Sequence, residues 1–174
     1  MAKWAFTSAA LTFTAAAAGS AITTATSYMA LKGGNPTQPQ TIDVLEVLVS
    51  GKATASTVAA MELARASAIE TTPTALAAPH SNGPLHPATA ALAAPPVPFV
   101  TAATHPTPSN TVTDAKLNLA LNLFGGIIRW NASPTQQWTM VGNTAPFGES
   151  VLWNSSTAGG STGLADAHIL YEPY

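Results

Sequence analysis

The chain has 174 residues, a formal net charge of −2 and no cysteine. This length fits one domain, the missing cysteines exclude disulfides and thiolate metal sites, and the six scattered Lys and Arg residues do not form the basic cluster that nucleic-acid binding needs. Only 8% of the residues are Asp, Glu, Lys or Arg, against about 25% in an ordinary soluble domain, which predicts a surface either of neutral polar groups or covered by other protein molecules.

The first part of the chain contains segments with the pattern of strands. Bulky residues alternate with small or polar ones in Trp4–Thr7 and in Leu11–Thr14, and such alternation indicates strands. A helix over Ala9–Ala18 is the alternative, which the Thr and Phe content of that stretch disfavours. Large and β-branched residues on both faces of Thr41–Val49 predict a central strand. Thr54–Ala68 fits a helix or a strand, and its Thr and Ser content favours a strand.

The middle part, residues 71–113, is rich in Pro, Ala and Thr. Because proline lacks a backbone donor and fixes φ, this composition predicts no regular element. The apolar residues between the prolines favour an ordered, polyproline-like path, and a short helix at Ala88–Ala94 is compatible with it. We therefore expect a long loop or arm that packs on the domain or on a neighbouring subunit.

The last part of the chain has the clearest pattern. Lys116–Leu123 alternates strictly, with Leu on one side and Lys, Asn and Ala on the other, which predicts a half-buried antiparallel strand. Further short strands, separated by Gly and Pro turns, are predicted at Ile127–Trp130, Gln137–Val141, Ser150–Trp153 and His168–Tyr171. The sequence therefore predicts an all-β fold over residues 1–174: one antiparallel β-sandwich or jelly-roll-like domain with a long Pro/Ala-rich segment.

The histidines are the first candidates for metal ligands. They are His80, His86, His105 and His168. Three lie in the Pro-rich segment, where no Cys, and no Asp or Glu between Glu70 and Asp114, can complete a zinc site. We expect loop histidines that bond to backbone or solvent, and the open alternative is a metal held between symmetry-related copies.

Candidate catalytic groups are few. Asp166 and His168 share a face if they lie on a strand, but Gly148–Ser150 is only a fragment of the Gly-x-Ser-x-Gly turn of a serine hydrolase. No phosphate loop and no marked carboxylate pair occurs. We therefore predict no catalytic, cofactor-binding or metal-binding residues, and a protein that is not an enzyme.

Four tryptophans are the remaining candidates for a binding surface. They are Trp4, Trp130, Trp138 and Trp153. Because large aromatic side chains dominate cores and interfaces, we expect core or subunit contacts rather than an exposed platform for sugars.

The N-terminal residues resemble a signal peptide in composition. Met1–Lys3 precede the apolar stretch Trp4–Ala18. Thr and Ser residues interrupt that stretch, which disfavours the interpretation. The chain contains no apolar run of about 18 residues that would predict a transmembrane helix, and no membrane contact is expected.

Five segments carry a resemblance to a known family: Leu76–Ala94, Leu117–Leu119, Phe124–Trp130, Gly142–Ser150 and Ile169–Tyr174. They resemble small β-sandwich virion proteins of tailed bacteriophages, among them the capsid decoration proteins, also called cement or knob proteins. The resemblance implies a structural protein, assembled in the bacterial host cytoplasm, that sits on the capsid surface as a homotrimer and clamps subunits of the major capsid protein. Other open functions are a phage tail or fibre component that binds a host receptor, and a secreted carbohydrate-binding domain.

Overall fold

The computed structural model describes residues 3–13, 27–32, 41–65, 71–73, 81–86, 97–99, 102–104, 115–141, 149–154 and 163–174. Every regular element within these residues is a β-strand. The strands are β1 (Trp4–Phe13), β2 (Ser27–Lys32), β3 (Thr41–Gly51), β4 (Val58–Arg65), β5 (Thr71–Pro73), β6 (Ser81–Pro84), β7 (Val97–Phe99), β8 (Ala102–Thr104), β9 (Ala115–Asn122), β10 (Ile127–Asn131), β11 (Trp138–Val141), β12 (Glu149–Asn154) and β13 (Gly163–Pro173). The predicted all-β class is therefore confirmed over the described residues.

The strands form two large sheets and one small one. The first sheet has the order β10–β3–β13–β1–β6, and β11 pairs with β3 beyond the end of β10. The second sheet has the order β7–β2–β12–β4–β9, while β5 and β8 pair only with each other. Every one of these pairings is antiparallel, as the alternating sequence pattern predicts.

The order of the long strands follows a simple rule. Eight strands remain when the short strands β5 to β8 are left out and β10 and β11, which both pair with β3, count as one. The first sheet then contains the first, eighth, third and sixth of these strands, and the second sheet contains the second, seventh, fourth and fifth. Neighbours within each sheet are therefore mostly strands that are distant along the chain.

The hydrophobic core lies between the two large sheets. Leu31 of β2 and Leu121 of β9 belong to the same buried cluster as the inward side chains of the first sheet. The first sheet contributes Trp4, Phe6, Ile42, Val44, Val47, Val49, Trp138, Ala165, Ala167, Ile169 and Tyr171. On β13 every second residue from Ala165 to Pro173 is buried. These residues therefore form the side of the strand that faces the core.

Several predicted strands are confirmed. β1 joins the two segments predicted near the N-terminus, so the alternative helix over Ala9–Ala18 is wrong for residues 9–13, and its remainder lies outside the described residues. β3 lies between β13 on one side and β10 and β11 on the other, which confirms its predicted central position. β4 confirms the strand favoured within Thr54–Ala68, and β9 confirms the alternating strand at Lys116–Leu123.

The prediction that residues 71–113 hold no regular element is wrong. Four short strands, β5 to β8, lie in this segment. β6 extends the first sheet beside β1, and β7 extends the second sheet beside β2. Both are edge strands, where a proline such as Pro84 or Pro98 need not donate to a neighbour. The short helix considered at Ala88–Ala94 lies outside the described residues.

The β6 segment is attached to the core of its own domain. The Tyr171 hydroxyl donates to Asn82 Oδ1 at 2.7 Å, and the Leu85 N–H donates to the Lys3 carbonyl at 2.9 Å. Burial raises the pKa of Tyr171 well above its usual value, and the hydrogen bond with Asn82 lowers it by a smaller amount. The side chain is therefore a neutral donor at any physiological pH, and it ties the Pro-rich segment to β13.

Tyr171→Phe is expected to lower the free energy of unfolding by about 1 to 2 kcal/mol, because it removes this hydrogen bond and leaves the Asn82 acceptor without its donor. Urea unfolding of Tyr171→Phe, Asn82→Ala and the double variant measures the effect. The double variant should lose less than the sum of the two single losses. Additive losses would show that the hydroxyl and the amide do not stabilise each other.

Candidate functional site

The outward side of the first sheet carries paired charges. Arg129 on β10 donates to the Glu46 carboxylate on β3, with 2.7 Å between Nη2 and Oε2. Lys52 Nζ, directly after β3, lies 3.3 Å from Asp166 Oδ2 on β13. The hydrogen bond with Glu46 also raises the pKa of Arg129. Exposed ion pairs contribute little to stability. Because the charges are paired, the outward side of the first sheet has little net charge in this region.

His168 lies on the same face. Its Nδ1 is 3.0 Å from the Thr7 hydroxyl on the neighbouring strand β1. Burial lowers the pKa of His168 below its usual 6.5, while Glu46 raises it and Arg129 lowers it by smaller amounts. The imidazole is therefore neutral near pH 7, and it shares one hydrogen bond with Thr7.

Acidification is expected to destabilise the protein through His168. Because the pKa of His168 is lower in the folded chain than in the unfolded chain, its stabilising contribution is complete above pH 6.5 and is lost as the pH falls through the folded value. Thermal unfolding between pH 7 and about pH 5 should therefore depend less on pH in His168→Asn than in the parent chain. Equal pH dependence in both proteins would contradict the assignment.

The candidate hydrolase residues do not meet. Asp166 and His168 share the outward side of β13, as predicted, but Asp166 lies beside Lys52 and His168 beside Thr7. Ser150 is on β12, in the second sheet. These three residues therefore do not form a nucleophile–base–carboxylate arrangement.

Of the other candidate metal ligands, His86 is exposed just beyond β6, whereas His80 and His105 lie outside the described residues. Within the part of the chain that the structure describes, no group of three or more His, Cys, Asp or Glu side chains could hold a metal ion.

The tryptophans belong mainly to the core. Trp4 and Trp138 are buried, which confirms the predicted core role for these two residues, and Trp130 packs against the core while partly exposed. The Trp4 ring stacks on Tyr171 with 6.4 Å between the ring centroids. The Trp153 side chain lies outside the described residues.

A different surface is assembled at one end of the domain, from the turn after β3, the turn after β9 and the start of β13. We call residues 53–58, 123–127 and 163–164 the loop end. The Ala53 N–H donates to the Leu123 carbonyl at 2.9 Å, and the Leu123 N–H donates to the Thr57 carbonyl at 2.8 Å. The two turns are therefore joined by backbone hydrogen bonds across more than 60 residues of sequence.

Asn122 adds a side-chain clamp to this join. Its Nδ2 donates to Ser56 Oγ at 2.8 Å, and its Oδ1 accepts from the N–H groups of Phe124 at 2.9 Å and Thr57 at 3.3 Å. In turns, asparagine side chains commonly accept hydrogen bonds from nearby backbone N–H groups. The loop end is consequently held in one conformation before anything binds to it.

The loop end is apolar and uncharged. It contains four of the six large apolar side chains that are exposed among the described residues: Val58, Phe124, Ile127 and Leu164. No residue of the loop end is charged, and Lys52 beside it is paired with Asp166. A shallow hollow of about 330 Å³ lies between the turn after β3 and Leu164. Large exposed apolar side chains at one end of a domain are typical of a contact site for another protein.

The opposite end of the domain differs. Tyr174 exchanges two backbone hydrogen bonds with Thr41, of 2.9 and 3.0 Å, and its hydroxyl donates to the Asp43 carboxylate, as does the Thr139 hydroxyl. The hydrogen bond with Asp43 raises the pKa of Tyr174 to about 12. A carboxylate with two hydroxyl donors occupies this end, whereas the loop end presents only neutral groups.

Sequence analysis did not identify the loop end. The available signal was Phe124, a large apolar residue placed directly before Gly125 and Gly126 in a turn, where a polar residue is the usual choice. Nothing in the sequence indicated that Val58 and Leu164 lie at the same end.

Comparison with known proteins gives no relative: no family model, curated protein or solved structure matches the chain. In the described part of the chain there is also no helix long and apolar enough to cross a membrane.

Proposed function

We propose that the chain is a structural virion protein that decorates and stabilises a phage capsid by binding subunits of the major capsid protein, without catalysis. The observation that carries this proposal is the loop end, a preformed, uncharged surface with exposed Val58, Phe124, Ile127 and Leu164. Such a surface loses little conformational entropy on docking and has no charge to desolvate.

The strand order supports the proposal. The order of the eight long strands matches two Greek keys of a jelly roll, an architecture that many viral capsid domains share with lectins and cupins. The buried side of the first sheet carries apolar side chains, which fits a protein that acts through its surface.

The distribution of edge strands supports assembly in a defined orientation. β6 and β7, both from the Pro-rich segment, are the edge strands on one side of the two large sheets, and they contain Pro84 and Pro98. On the opposite side β9 and β10 have no further strand beside them among the described residues, and neither contains a proline. Because open edges pair readily with other chains and prolines weaken such pairing, contacts between copies are favoured on the side of β9 and β10. We expect a homotrimer on the virion, in contact with coat protein and not with nucleic acid or membrane.

The proposal is tested by fractionating particles from cells that make the chain. We expect the chain to sediment with intact capsids in a density gradient, at a fixed ratio to the coat protein, and to be trimeric by light scattering when isolated. Particles that lack it should open at a lower temperature. Recovery of the chain only in the soluble fraction would overturn the proposal.

A further inference from the structure

A groove of about 380 Å³ lies on the outward side of the first sheet, next to the connection between β10 and β11. It is formed where β3 contains an extra residue: Glu46 pairs with Leu170 and Val44 with Tyr171, so Leu45 has no partner on β13. This is a β-bulge, a feature that re-aims side chains locally. Here the bulge places Leu45 in the floor of the groove.

The wall of the groove is fixed by backbone hydrogen bonds. The Ala132 N–H donates to the Leu45 carbonyl at 2.8 Å, and the Gln136 N–H donates to the Ser133 carbonyl at 2.9 Å. The connection of residues 132–137 is thus tied to the bulge at one end and closed as a turn at the other. The groove is preformed, as small-molecule sites usually are.

The lining combines apolar side chains, amide side chains and three ionic residues. Leu45, Leu170 and Pro134 provide the apolar part. The rim contains two exposed amides, Asn131 and Gln137. Amide side chains supply both donors and acceptors, so the rim can bind hydroxyl groups in either role.

The charges at the groove are balanced. Glu46 is paired with Arg129, and Lys3 and Glu172, of opposite sign, are the other ionic residues of the lining. A charged ligand would therefore find no net opposite charge. A wholly apolar ligand would displace the water molecules that hydrogen-bond to the polar groups and would offer no hydrogen bonds in return. A neutral ligand with an apolar face and a hydroxyl rim satisfies both conditions.

We propose that this groove binds a neutral saccharide. The C–H face of a sugar ring packs on Leu45, Leu170 and Pro134, and its hydroxyl groups exchange hydrogen bonds with Asn131 and Gln137. The groove uses the part of β3 around Leu45, whereas the loop end begins beyond Gly51. A chain docked by the loop end thus keeps the groove available for glycans outside the particle, and the inference does not depend on the proposed docking.

The test is a titration of the isotope-labelled full chain, followed by amide NMR, with glucose, galactose, N-acetylglucosamine and maltotriose as separate probes. At least one probe should cause saturable shifts at residues 45, 131–137 and 170. The double variant Asn131→Ala/Gln137→Ala should bind at least about tenfold more weakly, because it loses the hydrogen bonds of both amides with the ligand. Its matched control is Ser133→Ala/Gln136→Ala, which changes exposed side chains of the same connection that do not line the groove.

Three results would overturn the proposal. They are the absence of saturable shifts with every probe, equal affinity of the double variant and the parent chain, and tighter binding of glucuronate or glucosamine than of glucose. The last result would show that the groove selects charge. Each outcome is read from spectra that also report whether the variant is folded, so a folding defect is separated from a loss of binding.

Discussion

Gly51→Ala is expected to lower the free energy of unfolding by about 3 kcal/mol or more, which for a chain of this size lowers the melting temperature by roughly 10 °C. A Cβ atom at Gly51 would lie 2.1 Å from the carbonyl oxygen of Leu123 and 2.4 Å from its Cα. Real Cβ contacts are never this short, so the backbone of one of the two strand ends has to move.

Leu123 cannot move cheaply, because hydrogen bonds hold its backbone on both sides. Its carbonyl accepts from Ala53 and its N–H donates to Thr57, while Gly51 donates to the Gly126 carbonyl at 2.8 Å. Relieving the clash would break some of these bonds together. The substitution should therefore disorder the whole loop end rather than one turn.

Two other glycines are matched controls for this prediction. Gly83→Ala should change the unfolding free energy by less than about 0.5 kcal/mol, because its Cβ meets no atom within 4 Å. Gly125 has a φ of 74° and equally open space, so Gly125→Ala should cost about 1 kcal/mol through backbone strain alone. Thermal unfolding of the three variants should give this order, and a Gly51→Ala protein as stable as Gly83→Ala would contradict the described packing.

Phe124→Asp is expected to weaken binding of the chain to capsids by at least about thirtyfold, while the chain stays folded. Phe124 is 59% exposed in the isolated domain, so the substitution should have little effect on folding. In the proposed complex its ring becomes buried, and a carboxylate at this position would be desolvated without a partner. Co-sedimentation with capsids that lack the chain measures the loss.

The control for this experiment is Leu85→Asp. Leu85 is exposed to nearly the same extent, 57%, but it lies next to Lys3, at the start of β1 and away from the loop end. Leu85→Asp adds the same charge and should bind capsids like the parent chain. Equal losses in the two variants would show that added negative charge, rather than the loop end, governs binding.

The strands that were predicted well have a strong local pattern. In Lys116–Leu123, Leu alternates with Lys, Asn and Ala, and the composition of its partner β4 favours a strand. β13 was predicted only at His168–Tyr171, although it begins at Gly163. In the part that was not predicted, Ala165 and Ala167 are buried in the core. Alanine differs too little in hydrophobicity from its neighbours to indicate an inward position.

The Pro-rich segment could not be predicted correctly from local sequence. β6 and β7 are strands because β1 and β2 offer them an open edge, and an edge tolerates proline where a central position does not. The hydrogen bond between Tyr171 and Asn82 joins residues 89 positions apart. Such pairings depend on tertiary structure and cannot be predicted from a short segment of the sequence.

The loop end, the proposed binding surface, could not be predicted from local sequence either. Its chemical character depends on bringing Val58, Phe124 and Leu164 to one end of the domain, and the strand order does this. Composition predicted only a surface that is poor in charge, either because neutral polar groups cover it or because other protein molecules do. Among the described residues, the structure places four of the six exposed large apolar side chains at the loop end, which contains no charged residue.

A cryo-electron microscopy reconstruction of capsids that carry the chain tests the central claim most directly. The account predicts that residues 53–58 and 123–127 face the coat lattice and are covered by it, while the paired charges around Glu46 and Asp166 face solvent. Density that places the charged face of the first sheet on the lattice and leaves Phe124 in solvent would contradict it.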